Sequence, residues 1–273
     1  MMRFANRLPR FLRRGSRPDH HRKPSTTSAC DLHDLCKSGW FHNDTGELFT
    51  GFPVGPADTL LDVGCGNGGA TLFAARQGCD VIATDVLPDK ITALERQLAE
   101  AGAQRYRCHV SDSNPLPARA ASITRVVCAE VMEHVPDPDS FMDELVRVGA
   151  PDALYLLTVP DPASEAIQRE LAPDSYWRVP NHLRVFTRDA FATTVTRAGL
   201  TIESRHFVGF YTSVWWALFW SAGRPLDDPE HPLLDSWTRA WSLVLDHPDG
   251  MRVKQALDRA LPKSQVIIAR KAS

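Results

Sequence analysis

The chain has 273 residues, of which 43% are hydrophobic, and a formal net charge of −2. This length can bury a full core, and the composition is ordinary for a soluble protein with one main domain. The charge is uneven, because residues 1–24 carry +7 and leave −9 for the rest; an acidic body argues against a nucleic-acid enzyme, which usually presents a basic face.

Residues 1–29 form the basic arm, which precedes the predicted domain at 30–273. Its basic side chains are Arg3, Arg7, Arg10, Arg13, Arg14, Arg17, Arg22 and Lys23. A disordered, solubilising tail fits this composition, and we expect disorder when the arm has no partner. Weak attraction to an anionic lipid surface also fits, with apolar side chains entering the interface, and so does an incorrectly assigned chain start.

The six cysteines lack the spacing of a disulfide framework, and no cleavable signal precedes them. We therefore expect reduced thiols in a cytoplasmic protein, at most peripheral to the inner face of a membrane. The run Cys30-x-x-His33-x-x-Cys36 offers three metal ligands. Because no second cluster stands at a structural-zinc spacing, we expect no metal site.

The first predicted strand, 59–63, runs into a glycine-rich turn, and a helix is predicted at 68–77. The turn contains Gly64, Gly66, Gly68 and Gly69. Glycine lets the backbone turn tightly and lets a ligand approach closely. The start of the following helix offers unpaired N–H groups. This pattern indicates a nucleotide-type binding loop.

The spacing Gly64-x-Gly66-x-x-Gly69 also satisfies the dinucleotide fingerprint, so the glycines alone do not identify the ligand. Two acids narrow the choice. Asp62, at the strand end, would repel a pyrophosphate and suit a cationic group. Asp85 closes the next predicted strand, 80–84, where an acid can accept hydrogen bonds from ribose hydroxyls. A ribose with an amino group, and no required pyrophosphate, fits S-adenosylmethionine better than NAD.

Further along, strands and helices alternate as a parallel α/β sheet requires. The remaining strands are predicted at 105–110, 124–129, 153–159, 200–208 and 265–270. The remaining helices are predicted at 88–101, 138–149 and 187–198. In the last of these, Thr187 is the expected N-cap and Gly199 the stop.

Three motifs between Leu60 and about Pro138 resemble class I S-adenosylmethionine-dependent methyltransferases, above all enzymes of quinone biosynthesis and natural products. They are Leu-Asp-Val-Gly-Cys-Gly-Asn-Gly with Asp85, Ser-Asp-Ser-Asn-Pro-Leu-Pro around Asp112, and Val-Cys-Ala-Glu-Val-Met-Glu-His-Val around Glu130. The resemblance implies a Rossmann-like α/β fold: a seven-stranded, mostly parallel sheet with an antiparallel last strand. It also implies S-adenosyl-L-methionine as cofactor.

The same resemblance, taken residue by residue, assigns the cofactor contacts. The loop from Gly64 to Gly68 would hold the methionine part. Asp85 would bind the ribose, Val86 would pack on the adenine ring, and Asp112 would bind the adenine amino group. Glu130 would line the pocket near the sulfonium. The predicted cofactor residues are Asp62, Gly64, Cys65, Gly66, Gly68, Asp85, Val86, Asp112 and Glu130.

Two long segments leave the sheet at the carboxyl ends of its strands, where ligands bind in open α/β sheets. The first lid segment is 160–186, and the second, 209–263, holds five of the seven tryptophans; together they predict a helical, Trp-rich lid. Within Phe207 to Trp220, eleven of fourteen residues are apolar, too few for a membrane span. A buried helix, an aromatic wall for substrate, and a membrane-interface helix that receives a lipid-linked substrate all remain open.

A hydroxyl acceptor would profit from a general base. His182, in the first lid segment, is our first candidate for base or substrate contact, and His134 is the second. Tyr176, Trp177, Arg184, Trp215 and Trp216 are predicted substrate contacts on location alone.

Motifs that particular methylation reactions require are absent from the sequence. The chain has no Asn/Asp-Pro-Pro-aromatic run after the fourth strand, no Pro-Cys pair and no acidic cluster for a magnesium-dependent catechol site. We expect O-methylation of a small-molecule, glycan or lipid-linked acceptor, without nucleic-acid partners. C-methylation, an NAD-type oxidoreductase and a non-catalytic cofactor-binding protein remain alternatives, and the sequence leaves the oligomeric state open.

Overall fold

The computed structural model describes residues 26–178, 181–225 and 229–273. The basic arm up to residue 25 lies outside this part of the chain, and residues 26–29 begin helix α1, Thr26–Lys37. Three short antiparallel strands follow: β1, Trp40–His42, β2, Glu47–Phe49, and β3, Phe52–Pro53. The sequence patterns did not predict α1 or this small sheet.

The central sheet has seven strands, as predicted. They are β4, Thr59–Val63, β5, Asp80–Asp85, β6, Tyr106–Val110, β7, Ile123–Ala129, β8, Gly149–Pro160, β9, Leu200–Val208, and β10, Ser264–Lys271. Their order is β6-β5-β4-β7-β8-β10-β9, with β10 antiparallel to both its neighbours. The chain changes direction across the sheet between β4 and β7, which is where an open α/β sheet binds its ligand.

The predicted helices occur within two residues of their expected ends. They are α2, Gly69–Arg76, α3, Pro88–Glu100, α4, Pro138–Val148, and α6, Arg188–Arg197. Thr187 caps α6, because its side chain accepts from the Ala190 amide at 3.1 Å, and Gly199 follows the helix with a φ of +87°. The buried face of α3 is formed by Ile91, Leu94 and Leu98, which recur at helical spacing.

Two hydrophobic clusters cover the two faces of the sheet. Leu61 lies in the cluster that includes α4 and α6, whereas its neighbour Leu60 lies in the cluster that includes α2 and α3. The small sheet contributes buried Phe49 and Phe52 to the second cluster. Because both faces are covered, the edge formed by the carboxyl ends of the strands is where a ligand can enter.

The two lid segments are largely helical. The first contains α5, Pro162–Leu171, and a short 3-10 helix, Asp174–Trp177. The second contains α7, Phe210–Ala222, α8, Pro232–Asp246, and α9, Gly250–Ala260. A third cluster, built around Cys30, Tyr211 and Trp241, joins α1 to these helices. Among the described residues, no helix has the length and apolarity needed to cross a bilayer.

A buried ion network fastens α1 to the second lid segment. The Lys254 ammonium lies 2.9 Å from Asp34 Oδ1 and 3.0 Å from Asp258 Oδ2. Trp241 Nε1 also donates to Asp34 Oδ1, at 2.7 Å. Asp258 Oδ1 accepts from the amides of Gly209 and Phe210, where α7 begins. One lysine on α9 therefore pairs with two acids that link α1, α7 and α8 to this helix.

Candidate active site

The loop between β4 and α2 needs glycine for two physical reasons. Gly64, Gly66 and Gly68 have φ values of +69°, +52° and +80°, a region that side chains other than glycine rarely adopt. A Cβ on Gly64 would also lie 2.4 Å from Cγ2 of Val131, and one on Gly68 would lie 2.4 Å from Cδ1 of Leu94. The backbone here is consequently open to a ligand on one side and closely packed on the other.

Cys65 stands between the first two glycines and is buried. Its amide donates to the Thr84 carbonyl at 2.9 Å, which ties the loop to β5. Burial, reinforced by the charges of Asp62 and Asp85, raises the pKa of the thiol. The thiol is therefore neutral at physiological pH and supplies no nucleophile.

Asp62 lies at the end of β4 and is 3% exposed. Its Oδ2 accepts from Thr71 Oγ1 at 2.6 Å. Burial, together with the nearby charge of Asp85, raises the pKa of Asp62 to about 6, although the hydrogen bond from Thr71 lowers it. The carboxyl thus has a partner within the fold, beneath the loop, and its predicted contact with a cationic ligand group stays a prediction.

Asp85 bridges the loop and the end of β5. Its Oδ2 accepts from the Gly66 amide and its Oδ1 from the Leu87 amide, both at 2.9 Å. The adjacent Val86 is 62% exposed. A fixed carboxylate beside an open apolar surface is the arrangement that a ribose and its attached base require.

Asp112 follows β6 and is exposed. Its Oδ1 accepts from the Asn114 amide at 3.2 Å, which makes a local turn. The amide of the preceding Ser111 donates to the Asp85 carbonyl at 3.0 Å. The strands β4, β5 and β6 are parallel neighbours, so Asp62, Asp85 and Asp112 share one edge of the sheet.

Glu130 ends β7 in a left-handed conformation, with a φ of +56°. Its Oε1 accepts from Thr158 Oγ1 at 2.8 Å, and its Oε2 accepts from Lys263 Nζ at 3.3 Å. Burial lowers the pKa of Lys263, but the carboxylates of Glu130 and Glu165 outweigh it and leave that pKa raised. The ammonium is therefore charged and bound to acids from two elements.

His182 lies in a cluster of polar groups that belongs largely to the first lid segment. Its Nδ1 is 2.8 Å from Oε2 of Glu165, a fully buried residue of α5. The Tyr176 hydroxyl donates to Oε1 of the same carboxyl group at 3.2 Å. Lys263 Nζ lies 4.0 Å from Glu165 Oε1. Two predicted site residues thus meet on an acid that the sequence analysis missed.

His134 and Glu133 complete the polar cluster. The rings of His134 and His182 are 5.0 Å apart and nearly perpendicular. Glu133 is buried, 3.6 Å from His134 Nε2, and burial, with the charge of Glu130, raises its pKa well above the ordinary value. Its carboxyl oxygens accept no hydrogen bond from the part of the chain that the structure describes.

Ligand atoms of Glu133, His134 and His182 lie within 4.8 Å of one another, which makes this the place among the described residues where a cation could be shared. The raised pKa of Glu133 opposes cation binding there, because a metal ion needs the deprotonated carboxylate. The earlier Cys30-x-x-His33-x-x-Cys36 run gives no such grouping. Cys30 is buried and donates to the Thr238 carbonyl on α8, whereas Cys36 is exposed.

Aromatic side chains form one wall of this cluster. The Tyr176 ring lies 4.4 Å from His182, and Trp177 lies 6.2 Å from it. Trp220, which was not predicted as a site residue, lies 5.8 Å from Tyr176. Trp216 stacks on Trp220 at 5.4 Å, so that α7 extends the wall. The rings of Tyr176, Trp177, Trp216 and Trp220 are called the aromatic wall below.

Trp215 and Arg184 lie near the cluster with partners of their own. Trp215 stacks on Phe219 at 5.3 Å and meets Trp216 of the aromatic wall edge-on, also at 5.3 Å. The Arg184 guanidinium donates to the carbonyls of Met132, Val135 and Pro136. It therefore holds the loop after β7, and its contact with substrate stays a prediction.

Comparison with known proteins decides the family. Residues 7–205 match the model of a methyltransferase domain family. The chain belongs to this family. It is a class I S-adenosylmethionine-dependent methyltransferase, and S-adenosylmethionine is the methyl donor of the assigned family. The NAD-type alternative is therefore wrong.

Relatives of known name share parts of the chain. Ubiquinone biosynthesis O-methyltransferase of Xylella fastidiosa is 34% identical over 102 residues, which is 37% of this chain and 41% of that protein. The methyltransferase of 27-O-demethylrifamycin SV from Amycolatopsis mediterranei is 29% identical over 184 residues, 63% and 64% of the two chains. The match thus spans about two fifths of the ubiquinone enzyme's length.

Solved structures share the fold at lower identity. Geranyl diphosphate C-methyltransferase from Streptomyces coelicolor A3(2) superposes with a TM-score of 0.54 at 16% identity, covering 90% of this chain and 80% of that one. The cyclase SpnF gives 0.54 at 18% identity, covering 91% and 97%. At these identities the likeness shows the fold alone.

Proposed function

We propose that the chain transfers the methyl group of S-adenosylmethionine to a hydroxyl oxygen of a small, largely apolar molecule. The observation that carries this proposal is His182. Its Nδ1 is held at 2.8 Å by buried Glu165, and its ring lies against the aromatic wall at the sheet edge where the cofactor loop ends. Lys263 links this site to Glu130, the residue predicted beside the sulfonium.

The reaction needs alignment, exclusion of water and one proton acceptor. The acceptor oxygen attacks the methyl carbon, the carbon–sulfur bond breaks, and S-adenosylhomocysteine leaves as a neutral thioether. The proton of the hydroxyl passes to His182, which acts as the base. The aromatic wall supplies flat apolar area for the acceptor, as ligand pockets usually do.

Two relatives support an oxygen acceptor, because their names describe O-methylation in ubiquinone biosynthesis and methylation of 27-O-demethylrifamycin SV. Both names point to small-molecule acceptors. A sugar or lipid-linked hydroxyl is compatible with the same chemistry. C-methylation would need no hydroxyl, and the position of the new methyl group in the product distinguishes the two.

Cofactor binding is tested first, by melting-temperature shifts with S-adenosylmethionine, S-adenosylhomocysteine and NADH. Ligand at about 100 times its dissociation constant adds roughly 2.7 kcal/mol. We expect shifts with both adenosyl-sulfur ligands, lost in Asp85→Asn, which keeps the side-chain shape. Exposed Asp89→Asn is the matched control and should respond like wild type. A shift with NADH alone would contradict the proposal.

Methyl transfer is tested by S-adenosylhomocysteine release with a panel of phenols, alcohols, sugars and amines, and the product is identified by mass and NMR. We expect phenols or alcohols to react, and His182→Ala to lower kcat by about 10² to 10⁴-fold. Exposed His247→Ala is the control. Full activity in His182→Ala would contradict the role of His182 as the base. Loss of wild-type activity in EDTA, restored by Mg²⁺, would instead place a cation among Glu133, His134 and His182.

A further inference from the structure

We infer that Glu165 is the positioning residue that prepares His182 to act as the base. This inference rests on the proposed function and adds to it a residue of α5 that had no assigned role. The carboxyl group of Glu165 is 1% exposed and lies 2.8 Å from His182 Nδ1. A buried acid on one nitrogen of an imidazole fixes which nitrogen carries the proton.

The hydrogen bonds around Glu165 determine the direction of this contact. Burial first, and then the charge of Glu165, raises the pKa of the Tyr176 hydroxyl, so that this hydroxyl keeps its proton and donates it to Oε1. The Lys263 ammonium, 4.0 Å from the same oxygen, balances a negative charge there. Oε2 is then left to accept from His182 Nδ1–H.

In the neutral imidazole that carries its proton on Nδ1, the free lone pair of His182 is on Nε2. During transfer the acceptor's O–H bond breaks, its oxygen bonds to the methyl carbon, and the proton joins Nε2. The imidazolium that forms is stabilised by the Glu165 carboxylate. Besides Glu165 and Tyr176, the titratable groups beside the ring are His134 and Glu133, whose pKa burial raises. Lys263 and Glu130 form an ion pair next to Glu165.

Tyr176 cannot take the part of the base in this arrangement. Its hydroxyl hydrogen is directed to Glu165, and its raised pKa opposes the phenolate form. Its hydroxyl instead holds Oε1 of Glu165, the oxygen that does not contact His182. Tyr176→Phe removes one hydrogen bond and leaves the Glu165–His182 contact in place, so we expect kcat to fall by less than about fivefold.

The first test needs no acceptor. Nitrogen-15 NMR of the full-length protein at about pH 8 reports which ring nitrogen of each histidine is protonated, and His182→Asn assigns the signal. We expect protonated Nδ1 in wild type and a mixture that contains protonated Nε2 in Glu165→Gln. A wild-type His182 with its proton on Nε2 would overturn the inference, without regard to how any Glu165 variant folds.

The second test is a double-mutant cycle with an acceptor identified in the screen. We expect Glu165→Gln to lower kcat about 10²-fold, with KM and S-adenosylhomocysteine binding within about twofold of wild type. The variant that combines it with His182→Ala should be no slower than His182→Ala alone. If the two losses multiply, Glu165 merely supports the lid. A fully active His182→Ala would show instead that the proposed base itself is wrong.

Discussion

Gly64 shows how a single residue decides whether the cofactor loop can form. Alanine there must adopt a φ of +69° and place its Cβ 2.4 Å from the stiff side chain of Val131. Gly102 has a φ of +72° with nothing within 4 Å. Gly102→Ala therefore matches the backbone strain, of about 1–2 kcal/mol, without the clash. We expect Gly64→Ala to weaken S-adenosylhomocysteine binding at least tenfold by calorimetry, and Gly102→Ala to leave it unchanged.

Asp62 makes stability depend on pH in the direction opposite to most acids. Its pKa is raised to about 6 by burial, whereas an unfolded aspartate titrates near 3.9. The folded state thus keeps the proton longer, so this group's contribution to stability is complete below about pH 4 and is lost as pH rises to about 6. The difference corresponds to roughly 3 kcal/mol.

Asp62→Asn removes this pH dependence while its amide oxygen can still accept from Thr71. We expect the free energy of unfolding of this variant, relative to wild type, to rise by up to about 3 kcal/mol between pH 4 and pH 7. Urea unfolding at both pH values measures it. Exposed Asp44→Asn is the control. Parallel pH profiles for wild type and Asp62→Asn would contradict the raised pKa.

The glycine turn between β4 and α2 could be predicted because its signal is local. Gly64, Asp62 and Asp85 lie beside strands whose apolar runs are plain in the sequence. Glu165 could not be predicted, because its partner His182 is 17 residues away across a segment without strand periodicity. Trp220 was visible as a tryptophan of the second lid segment, but its place beside Tyr176 depends on how α7 packs.

At the scale of elements, the strands of the central sheet could be predicted from the sequence. The helices and the small sheet that pack on it could be predicted only in part. Strand β4 has the predicted ends, because burial on both faces gives a continuous apolar run. The edge strand β9 also has them, although polar and apolar residues are mixed along it. The small sheet, 40–53, was missed because strands of two or three residues give no periodicity. Helix α1 was missed because polar residues outnumber apolar ones along it and its contacts with α8 are more than 200 residues away in sequence.

Helices α1, α7, α8 and α9 depend on one buried cation, and this gives a prediction for stability. Lys254→Met would leave Asp34 and Asp258 without their ammonium partner. We expect a loss of about 3–5 kcal/mol in the free energy of unfolding, the range for broken buried pairs, measured by urea denaturation. Arg252→Met, at an exposed position of the same helix, should change it by less than about 0.5 kcal/mol. Equal effects of the two substitutions would show that the network is not what holds α1.

At the scale of the whole molecule, charge is separated along the chain. The basic arm carries +7 over residues 1–24, and the rest carries −9. Helix α1 follows the arm directly and exposes Leu32 by 53% and Leu35 by 37%. A cationic segment followed by exposed apolar side chains is the composition that anionic lipid surfaces attract.

Neutralising half of the basic arm tests whether this charge separation matters. We expect the full-length chain to sediment with vesicles containing about 30% phosphatidylserine at low salt, and to be released as screening increases. At about 1 kcal/mol for each basic side chain near the surface, replacing Arg10, Arg13, Arg14 and Arg17 by glutamine should reduce binding by several hundred-fold. Neutral vesicles are the lipid control. Binding that persists in this variant would assign the contact to apolar side chains and not to the charge of the arm, because the body, at −9, is itself repelled by the same surface.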